Sequence, residues 1–157
     1  MPLHSKPKTD VLYNEVVYPG VSIFLSLAFL APAIALVLWP VSAGLAMITG
    51  LTAYGAAVAI MIGASPRITV TKTSQGIKLR VKGAEIFAQH LGKATLVTPA
   101  DQRVHKGPAL DARSFRSFQV GAKDLVKIDI LDTSDPTPYW LISSRRGQVL
   151  ADLVNAK

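Results

Sequence analysis

The sequence predicts a membrane α-helical hairpin joined to a small α+β domain, mainly antiparallel β, that a C-terminal helix closes. Three observations predict this fold class. Half of the 157 residues are hydrophobic, only 17% are charged and the mean hydropathy is +0.34, a composition unusual for a water-soluble globule. No Asp, Glu, Lys or Arg occurs in residues 16–66. After Pro66 the hydrophobic pattern acquires a period of two, which is typical of strands.

These observations divide the chain into an N-terminal segment 1–15, a two-helix transmembrane hairpin 16–66 and a β-rich domain 67–157 that ends in a helix. The high hydrophobic content excludes intrinsic disorder. Because the sequence contains no cysteine, it has no disulfide framework, thiolate metal site or cysteine nucleophile.

The two predicted spans cover about residues 17–39 and 43–63, with the uncharged turn Trp39–Ser42 between them. At 1.5 Å per residue each helix is roughly 30–35 Å long, enough to cross a hydrocarbon core of about 30 Å. Two buried helices in a soluble core are the alternative, but the remaining residues are too few to cover them. A cleaved signal peptide is excluded because the first run is too long and a second span follows it.

Flanking charges predict the orientation of this hairpin. Lys6 and Lys8 precede the first span, five cations and no acid follow the second within residues 67–82, and the connecting turn is uncharged. The positive-inside rule therefore places both termini in the cytoplasm, as in a multi-pass protein of the cell inner (plasma) membrane.

Small residues recur at four-residue spacing within the spans, which either allows close helix packing or only follows from an alanine-rich composition. We also expect Pro32 to kink the first helix. The spaced sets are Gly55, Ala59 and Gly63, Ala46 with Gly50, and Ala31 with Ala35.

Alternating apolar residues predict the strands of the β-rich domain. Residues 68–71 and 77–82 form a predicted β-hairpin around a turn at 74–76, with one apolar and one basic face. Further strands are expected at 84–87, 93–98, 125–131 and 138–143, and a loop at 101–111. A terminal helix with Ser144 as N-cap is expected to close the sheet with one apolar face made of Val149, Leu150, Leu153 and Val154.

Three segments resemble an uncharacterised family of actinobacterial membrane proteins with two spans and a small β-rich domain. They are DPTPYWLISSRR at 135–146, LDARSF at 110–115, and Tyr13-Asn14-Glu15 followed by Tyr18-Pro19. The resemblance covers nearly the whole chain and implies a pleckstrin-homology-like fold for the soluble part, with no established activity. Gly147 departs from the proline expected there, which weakens the start of the last helix.

No catalytic motif occurs in the sequence. The three histidines, His4, His90 and His105, are isolated and are interpreted as surface or turn residues rather than metal ligands. Asp129 lies on the polar side of a predicted strand, and Asp132 and Asp135 are interpreted as turn residues rather than paired carboxylates. We therefore expect a non-enzyme that needs no cofactor or metal.

The β-rich domain carries 15 Lys or Arg against 8 Asp or Glu, which accounts for the whole net charge of +7. Cations beside the membrane would hold the sheet against anionic headgroups. Alternatively, they only set the topology of the spans, since the positive-inside rule alone already accounts for them. Nucleic acid is not expected, because no aromatic residues interleave with the basic face. The candidate lipid-facing cations are Arg67, Lys72, Lys78, Arg80 and Lys82.

Arg145 and Arg146 precede the last helix, where the helix dipole disfavours cations. They are candidates for binding an anion or a partner's carboxylate, and salt bridges to Asp132 or Asp135 are an equally good explanation. Tyr139 and Trp140 face opposite sides of their strand, so one of them is core, and the sequence leaves open which.

The predicted function is a membrane-anchored, non-catalytic interaction module that binds a protein partner or anionic lipid at the cytoplasmic face. The alternative is a structural accessory subunit of a larger membrane protein complex.

Overall fold

The computed structural model describes residues 10–156, so that His4, Lys6 and Lys8 lie outside the described residues. The chain divides into two compact units. One is the helical unit Tyr18–Ser65. The other, called here the β unit, joins the described residues 10–17 to 66–156.

The helical unit consists of α1 (Val21–Ala28), α2 (Leu30–Leu38) and α3 (Ala43–Gly63). Its stretches Val21–Leu38 and Ala43–Gly63 are long and apolar enough to cross a membrane. The second agrees with the predicted span, whereas the first begins four residues later than predicted. Val17 is fully buried in the β unit and donates its N–H to the Pro66 carbonyl at 2.9 Å, which keeps it out of the helix.

A break at Phe29 separates α1 from α2, one turn before Pro32. Pro32 has no N–H to offer the Ala28 carbonyl, and its ring crowds that carbonyl, so the regular helix is interrupted there. The predicted distortion of this helix is therefore present.

Small residues pack the hairpin at one of the predicted sets. A Cβ added to Gly50 would lie 2.5 Å from the Ala31 carbonyl oxygen, and Ala46 and Gly50 are the buried residues of α3. A Cβ added to Gly55 or Gly63 would meet nothing within 4 Å. The helices therefore approach each other closely at Gly50, whereas Gly55 and Gly63 face away from this contact.

The β unit contains two four-stranded sheets. The first sheet comprises β1 (Asp10–Val16), β2 (Arg67–Thr73), β3 (Gly76–Val81) and β4 (Ala84–Phe87). The second comprises β5 (Leu91–Val97), β6 (Phe115–Ser117), β7 (Asp124–Ile130) and β8 (Tyr139–Ser144). The first sheet has the order β1-β2-β3-β4 and is antiparallel throughout, and the second has the order β5-β7-β8-β6 with a parallel β6–β8 pair.

The predicted strands are present, and the structure adds β1, β6 and the one-turn helix α4 (Gln102–His105) inside the predicted loop. Strand β1 escaped prediction because its inward positions include Glu15, which hides the apolar alternation, while Val11 and Leu12 are exposed. Strand β6 has three residues, too few for a periodic pattern.

The core lies between the two sheets and the terminal helix α5 (Gly147–Asn155). Leu150, Ala151 and Val154 are the buried side chains by which α5 contributes to this core. The predicted apolar face was wrong at Val149, which is 46% exposed because it lies about 100° around the helix from Leu150.

The start of α5 also differs from the prediction. Its N-cap is Arg146, and the Ser144 hydroxyl instead accepts a hydrogen bond from the Arg146 N–H at 3.0 Å. The Gly147 N–H donates to Asp124 Oδ2 at 2.9 Å, and a Cβ at Gly147 would lie 2.6 Å from the Asp124 Cβ. Glycine therefore fits a close approach here, and a proline would lack the bonding N–H.

Candidate anion-binding groove

The outer face of the first sheet forms a basic groove, because strand side chains alternate between faces. Four inward residues of β2 and β3 are buried: Ile68, Val70, Leu79 and Val81. The outward residues enclose a groove of about 700 Å³. Its lining, which defines the basic groove below, is Arg67, Thr69, Thr71, Thr73, Lys78, Arg80, Lys82, Gly83 and Glu85.

Strand register fixes the positions of these side chains. Thr69 is paired with Arg80 and Thr71 with Lys78, so each of these cations stands beside a threonine of the neighbouring strand. At one end of the sheet Val16 is paired with Arg67, and the Lys82 N–H donates to the Arg67 carbonyl at 3.2 Å. Both segments that connect to the helical unit leave from this end, beside Arg67 and Lys82.

Glu85 is the acidic residue of the groove lining. Its carboxylate forms ion pairs with the Lys78 ammonium and with Arg80, whose Nε lies 3.3 Å from Oε1. The hydrogen bond from Lys78 is the main reason that the pKa of Glu85 lies below its usual value, and the charges of Lys78 and Arg80 add to this. Four cations against one carboxylate leave the groove positive at neutral pH.

The β3–β4 turn places Lys82 in an unfavourable backbone conformation. Lys82 has a φ of 52° and the next residue, Gly83, a φ of 92°, as two-residue hairpin turns of the I′ class require. Glycine adopts such angles freely, but a side chain there costs about 1–2 kcal/mol. Residues in such strained conformations cluster at functional sites, and Lys82 lies at the groove rim.

Of the five predicted lipid-facing cations, the structure brings four together in the groove and separates the fifth. Lys72 is exposed on β2 but has the parity of Ile68 and Val70, so it points to the opposite face of the sheet. It is paired with Ile77 and Asp10 rather than with a groove residue.

The other predicted pair, Arg145 and Arg146, lies against β1. The Arg145 N–H donates to Glu15 Oε1 at 2.8 Å. The Arg146 guanidinium lies over the Tyr13 ring, 5.0 Å from its centroid, and donates to the Asn14 carbonyl at 3.2 Å. The two predicted salt-bridge partners of these arginines have other contacts. Asp132 Oδ2 lies 3.5 Å from His90 Nδ1, and Asp135 accepts a hydrogen bond from the Thr137 N–H at 2.8 Å.

Glu15 is the centre of a buried polar cluster that sequence reasoning missed; we call Tyr13, Glu15, Ser144 and Arg146 the Glu15 cluster. Glu15 is 7% exposed, and its Oε2 accepts hydrogen bonds from the Tyr13 hydroxyl at 2.5 Å and from the Ser144 hydroxyl at 2.6 Å. Burial, followed by the hydrogen bond to Glu15, raises the pKa of Tyr13 to about 12. Because Ser144 is fully buried, this hydroxyl–carboxylate pair is closed to a substrate.

The segments that carry the family resemblance meet in pairs. The Tyr13-Asn14-Glu15 segment contacts Ser144–Arg146, as described above. Trp140 is a core residue whose ring centroid lies 4.4 Å from that of Phe115, whereas the Tyr139 hydroxyl accepts the Asp111 N–H at 2.8 Å. The motif residues thus join β1 to the end of β8, and the 110–115 segment to its start.

No group of His, Asp and Glu able to hold a metal ion occurs within residues 10–156. The basic groove is accessible to a ligand, and its chemistry suits an anion with several acceptor oxygens.

Residues 12–154 match the model of the family described as protein of unknown function (DUF3093). The chain therefore belongs to the DUF3093 family. No curated protein and no solved structure matches the sequence.

Proposed function

We propose that this chain is a membrane-anchored, non-catalytic interaction module that binds anionic lipid headgroups in its basic groove. The helical unit is the anchor, a two-span hairpin of the cell membrane. The flanking charges support a cytoplasmic location for both ends and for the β unit. Two packed sheets closed by a C-terminal helix support a pleckstrin-homology-like fold for that unit.

The basic groove carries this proposal. Its cations converge on one face of one sheet, and Arg67 and Lys82 mark the sheet end from which both connecting segments run to the helices. An anionic membrane surface attracts each nearby cation by about 1 kcal/mol, so four of them provide a substantial preference. Setting topology requires only that these residues be basic, whereas their convergence on one face supports a ligand.

The non-catalytic part of the proposal follows from where the reactive groups lie. The hydroxyl–carboxylate pair of Ser144 and Glu15 is buried, and Glu85, the carboxylate of the groove lining, is held by ion pairs with Lys78 and Arg80. Such a surface binds charge and does not arrange a reaction.

One observation favours the second candidate function, an accessory subunit of a larger membrane complex. Gly55, Ala59 and Gly63 form an exposed ridge on α3 that the hairpin itself does not cover. Ridges of this kind suit close packing against another helix. Gentle detergent extraction followed by native mass spectrometry tests it: stoichiometric co-purifying subunits support this function, and a lone chain contradicts it.

Lipid titration of the full-length protein in neutral detergent tests the first function. The variant replaces Arg67, Lys78, Arg80 and Lys82 by Gln, and the titrants are dihexanoyl phosphatidylglycerol and its phosphatidylcholine analogue. We expect wild-type protein to prefer the anionic lipid at low salt, and the variant to bind it at least about tenfold more weakly.

A second quadruple variant controls for total charge. It replaces Lys72, Lys93, Arg103 and Lys123, all exposed and outside the groove, by Gln. We expect it to bind like wild type. Equal weakening in both variants would show that net charge, rather than the groove, attracts the lipid. Equal binding of wild type to both lipids would refute the proposed function.

A further inference from the structure

The basic groove consists of two halves, and the first, called here the closed half, is formed by Lys78, Arg80 and Glu85. The Glu85 carboxylate forms ion pairs with the Lys78 ammonium and with Arg80, whose Nε lies 3.3 Å from Oε1. The Lys78 ammonium also lies 5.3 Å from the centroid of the Phe87 ring, and the Lys78 side chain is 27% exposed. Arg80 and Glu85 are direct cross-strand partners, so strand register keeps the carboxylate beside these cations.

The second half, called here the open half, is formed by Arg67 and Lys82 at the sheet end where the connecting segments leave. Both residues are exposed, and the hydrogen bond from the Lys82 N–H to the Arg67 carbonyl keeps their backbones together. Within the part of the chain that the structure describes, neither side chain forms an ion pair. Lys82 also has the left-handed backbone conformation that most residues avoid.

The two halves differ in the charge that they offer to a ligand. Two cations and one carboxylate give the closed half a net charge of +1, whereas the two cations of the open half give it +2. An anion in the closed half either meets the smaller net charge or must replace Glu85. The open half requires no replacement, and this difference is the same for every anion that carries a given charge.

We infer that the headgroup phosphate binds in the open half and that Glu85 is an autoinhibitory counter-ion of the closed half; this inference rests on the proposed function. Glu85 occupies two cations that would otherwise attract the ligand, so it lowers the affinity of the whole groove. Strained residues persist at ligand-binding sites, and the strained Lys82 belongs to the open half.

Charge-matched variants of the full-length protein in neutral detergent test where the phosphate binds, with dihexanoyl phosphatidylglycerol as the titrant. Arg67→Gln and Lys82→Gln each remove one positive charge from the open half, and we expect each to bind the lipid about fivefold more weakly. A triple variant, Lys78→Gln with Arg80→Gln and Glu85→Gln, removes the closed half and also lowers the net charge by one. We expect it to bind within about twofold of wild type, because its missing charge is screened from the open half.

Glu85→Gln tests the autoinhibitory contact by itself. This variant frees Lys78 and Arg80, so we expect it to bind the lipid about fivefold more tightly than wild type. Asp129→Asn is the matched control, because the Asp129 carboxylate also forms an exposed ion pair, 3.5 Å from the Lys127 ammonium, but lies outside the groove. The control should strengthen binding by less than about twofold.

Inorganic phosphate, as a competitor, distinguishes a free phosphate ion from the lipid headgroup, which share the phosphate oxygens. Displacement of the lipid at similar concentrations would identify the free ion as sufficient, and a much weaker effect would identify the lipid. In either case the inference requires that Arg67→Gln weaken the binding of that ligand, and an unchanged affinity would overturn it.

Two further results would overturn the inference. Weakening of the triple variant as great as that of Arg67→Gln would place the phosphate in the closed half, and equal gains in Glu85→Gln and Asp129→Asn would show that Glu85 does not compete with the ligand. Near-UV circular dichroism checks that each variant is folded. A preference of wild type for anionic lipid would still uphold the proposed function, whereas its absence would refute that function itself.

Discussion

The β unit contains two glutamates whose surroundings are opposite in kind. Glu15 is 7% exposed and its two oxygens accept three hydrogen bonds, from Tyr13, Ser144 and the Arg145 N–H. The Glu85 side chain is 35% exposed, and its partners are two cations at the rim of a groove. A carboxylate with buried, saturated donors holds strands together, while one at an accessible ion pair can be exchanged for a ligand.

Two of the segments on which the resemblance rests lie beside Glu15 rather than beside Glu85. Tyr13-Asn14-Glu15 and the end of DPTPYWLISSRR form the Glu15 cluster, whereas the groove cations belong to none of the quoted segments. The resemblance therefore marks what joins the ends of the β unit. The binding surface follows instead from the alternation of side chains on β2 and β3.

The largest expected effect comes from truncating the two glutamates separately. Glu15→Ala leaves buried donors on Tyr13 and Ser144 without their acceptor, and should lower the free energy of unfolding by about 2–4 kcal/mol. Glu85→Ala removes an accessible ion pair and should produce no measurable change. Chemical unfolding of the full chain in detergent, followed by near-UV circular dichroism, measures both. Equal losses of unfolding free energy in the two variants would contradict the difference drawn here between Glu15 and Glu85.

The next effect concerns the close packing beside the Glu15 cluster. Gly147→Ala would place a Cβ 2.6 Å from the Asp124 Cβ and 2.9 Å from Leu96 Cδ1. We expect a loss of about 1–3 kcal/mol in the same unfolding experiment. Gly55→Ala is the control, because its new Cβ would meet nothing within 4 Å. A Gly147→Ala protein as stable as wild type would show that Asp124 and Leu96 move aside at little cost in free energy.

On the groove side, stability and binding should change in opposite directions. Lys82→Gly relieves the left-handed backbone at a φ of 52° and should raise the free energy of unfolding by about 1 kcal/mol. It also removes one groove cation, which should weaken binding of phosphatidylglycerol about fivefold, since each cation contributes about 1 kcal/mol. Lys72→Gly on the opposite face should not weaken binding. Undiminished binding by Lys82→Gly would place the ligand elsewhere.

The smallest effect is a titration. Because the pKa of Tyr13 is raised from 10.0 to about 12, its phenol should ionise with a midpoint near pH 12. The folded-state pKa exceeds the unfolded one, so the stabilisation is complete below pH 10 and declines as the pH rises toward 12. The difference in tyrosinate absorbance between wild type and Tyr13→Phe measures this midpoint. A midpoint near 10 would mean that Tyr13 is neither buried nor hydrogen-bonded to Glu15.

Periodicity predicted most of the fold but not the residues that complete it. The span 43–63 and the β2–β3 hairpin agree with the structure because each has an unbroken pattern. Strand β1 was not predicted, because its inward residue Glu15 adds nothing to the hydrophobic pattern. The partners of Glu15, Ser144 and Arg145, are distant in sequence. Only the folded register shows that Glu15 points inward.

The candidate groove was partly predictable for a similar reason. Charge alone selected five cations, and the parity of positions along β2 already distinguishes Lys72 from Arg67, because Lys72 shares the parity of Ile68 and Val70. The pairing of Glu85 with Lys78 and Arg80 depends on the β3–β4 register, and the strain at Lys82 depends on the turn conformation. Neither follows from composition.

The pairing of β1 with β2 makes the helical unit an insertion between two adjacent strands of one sheet. During translation, β1 leaves the ribosome long before β2, and Ser144, the buried donor to Glu15, is made near the end of synthesis. Strand β1 must therefore wait, unpaired, until the helical unit and β2 have been made, and its Glu15 waits for the Ser144 hydroxyl until nearly the whole β unit has been made. A chain interrupted before Ser144 would therefore lack a buried donor to Glu15, and its first sheet could not be joined to β8 through this bond.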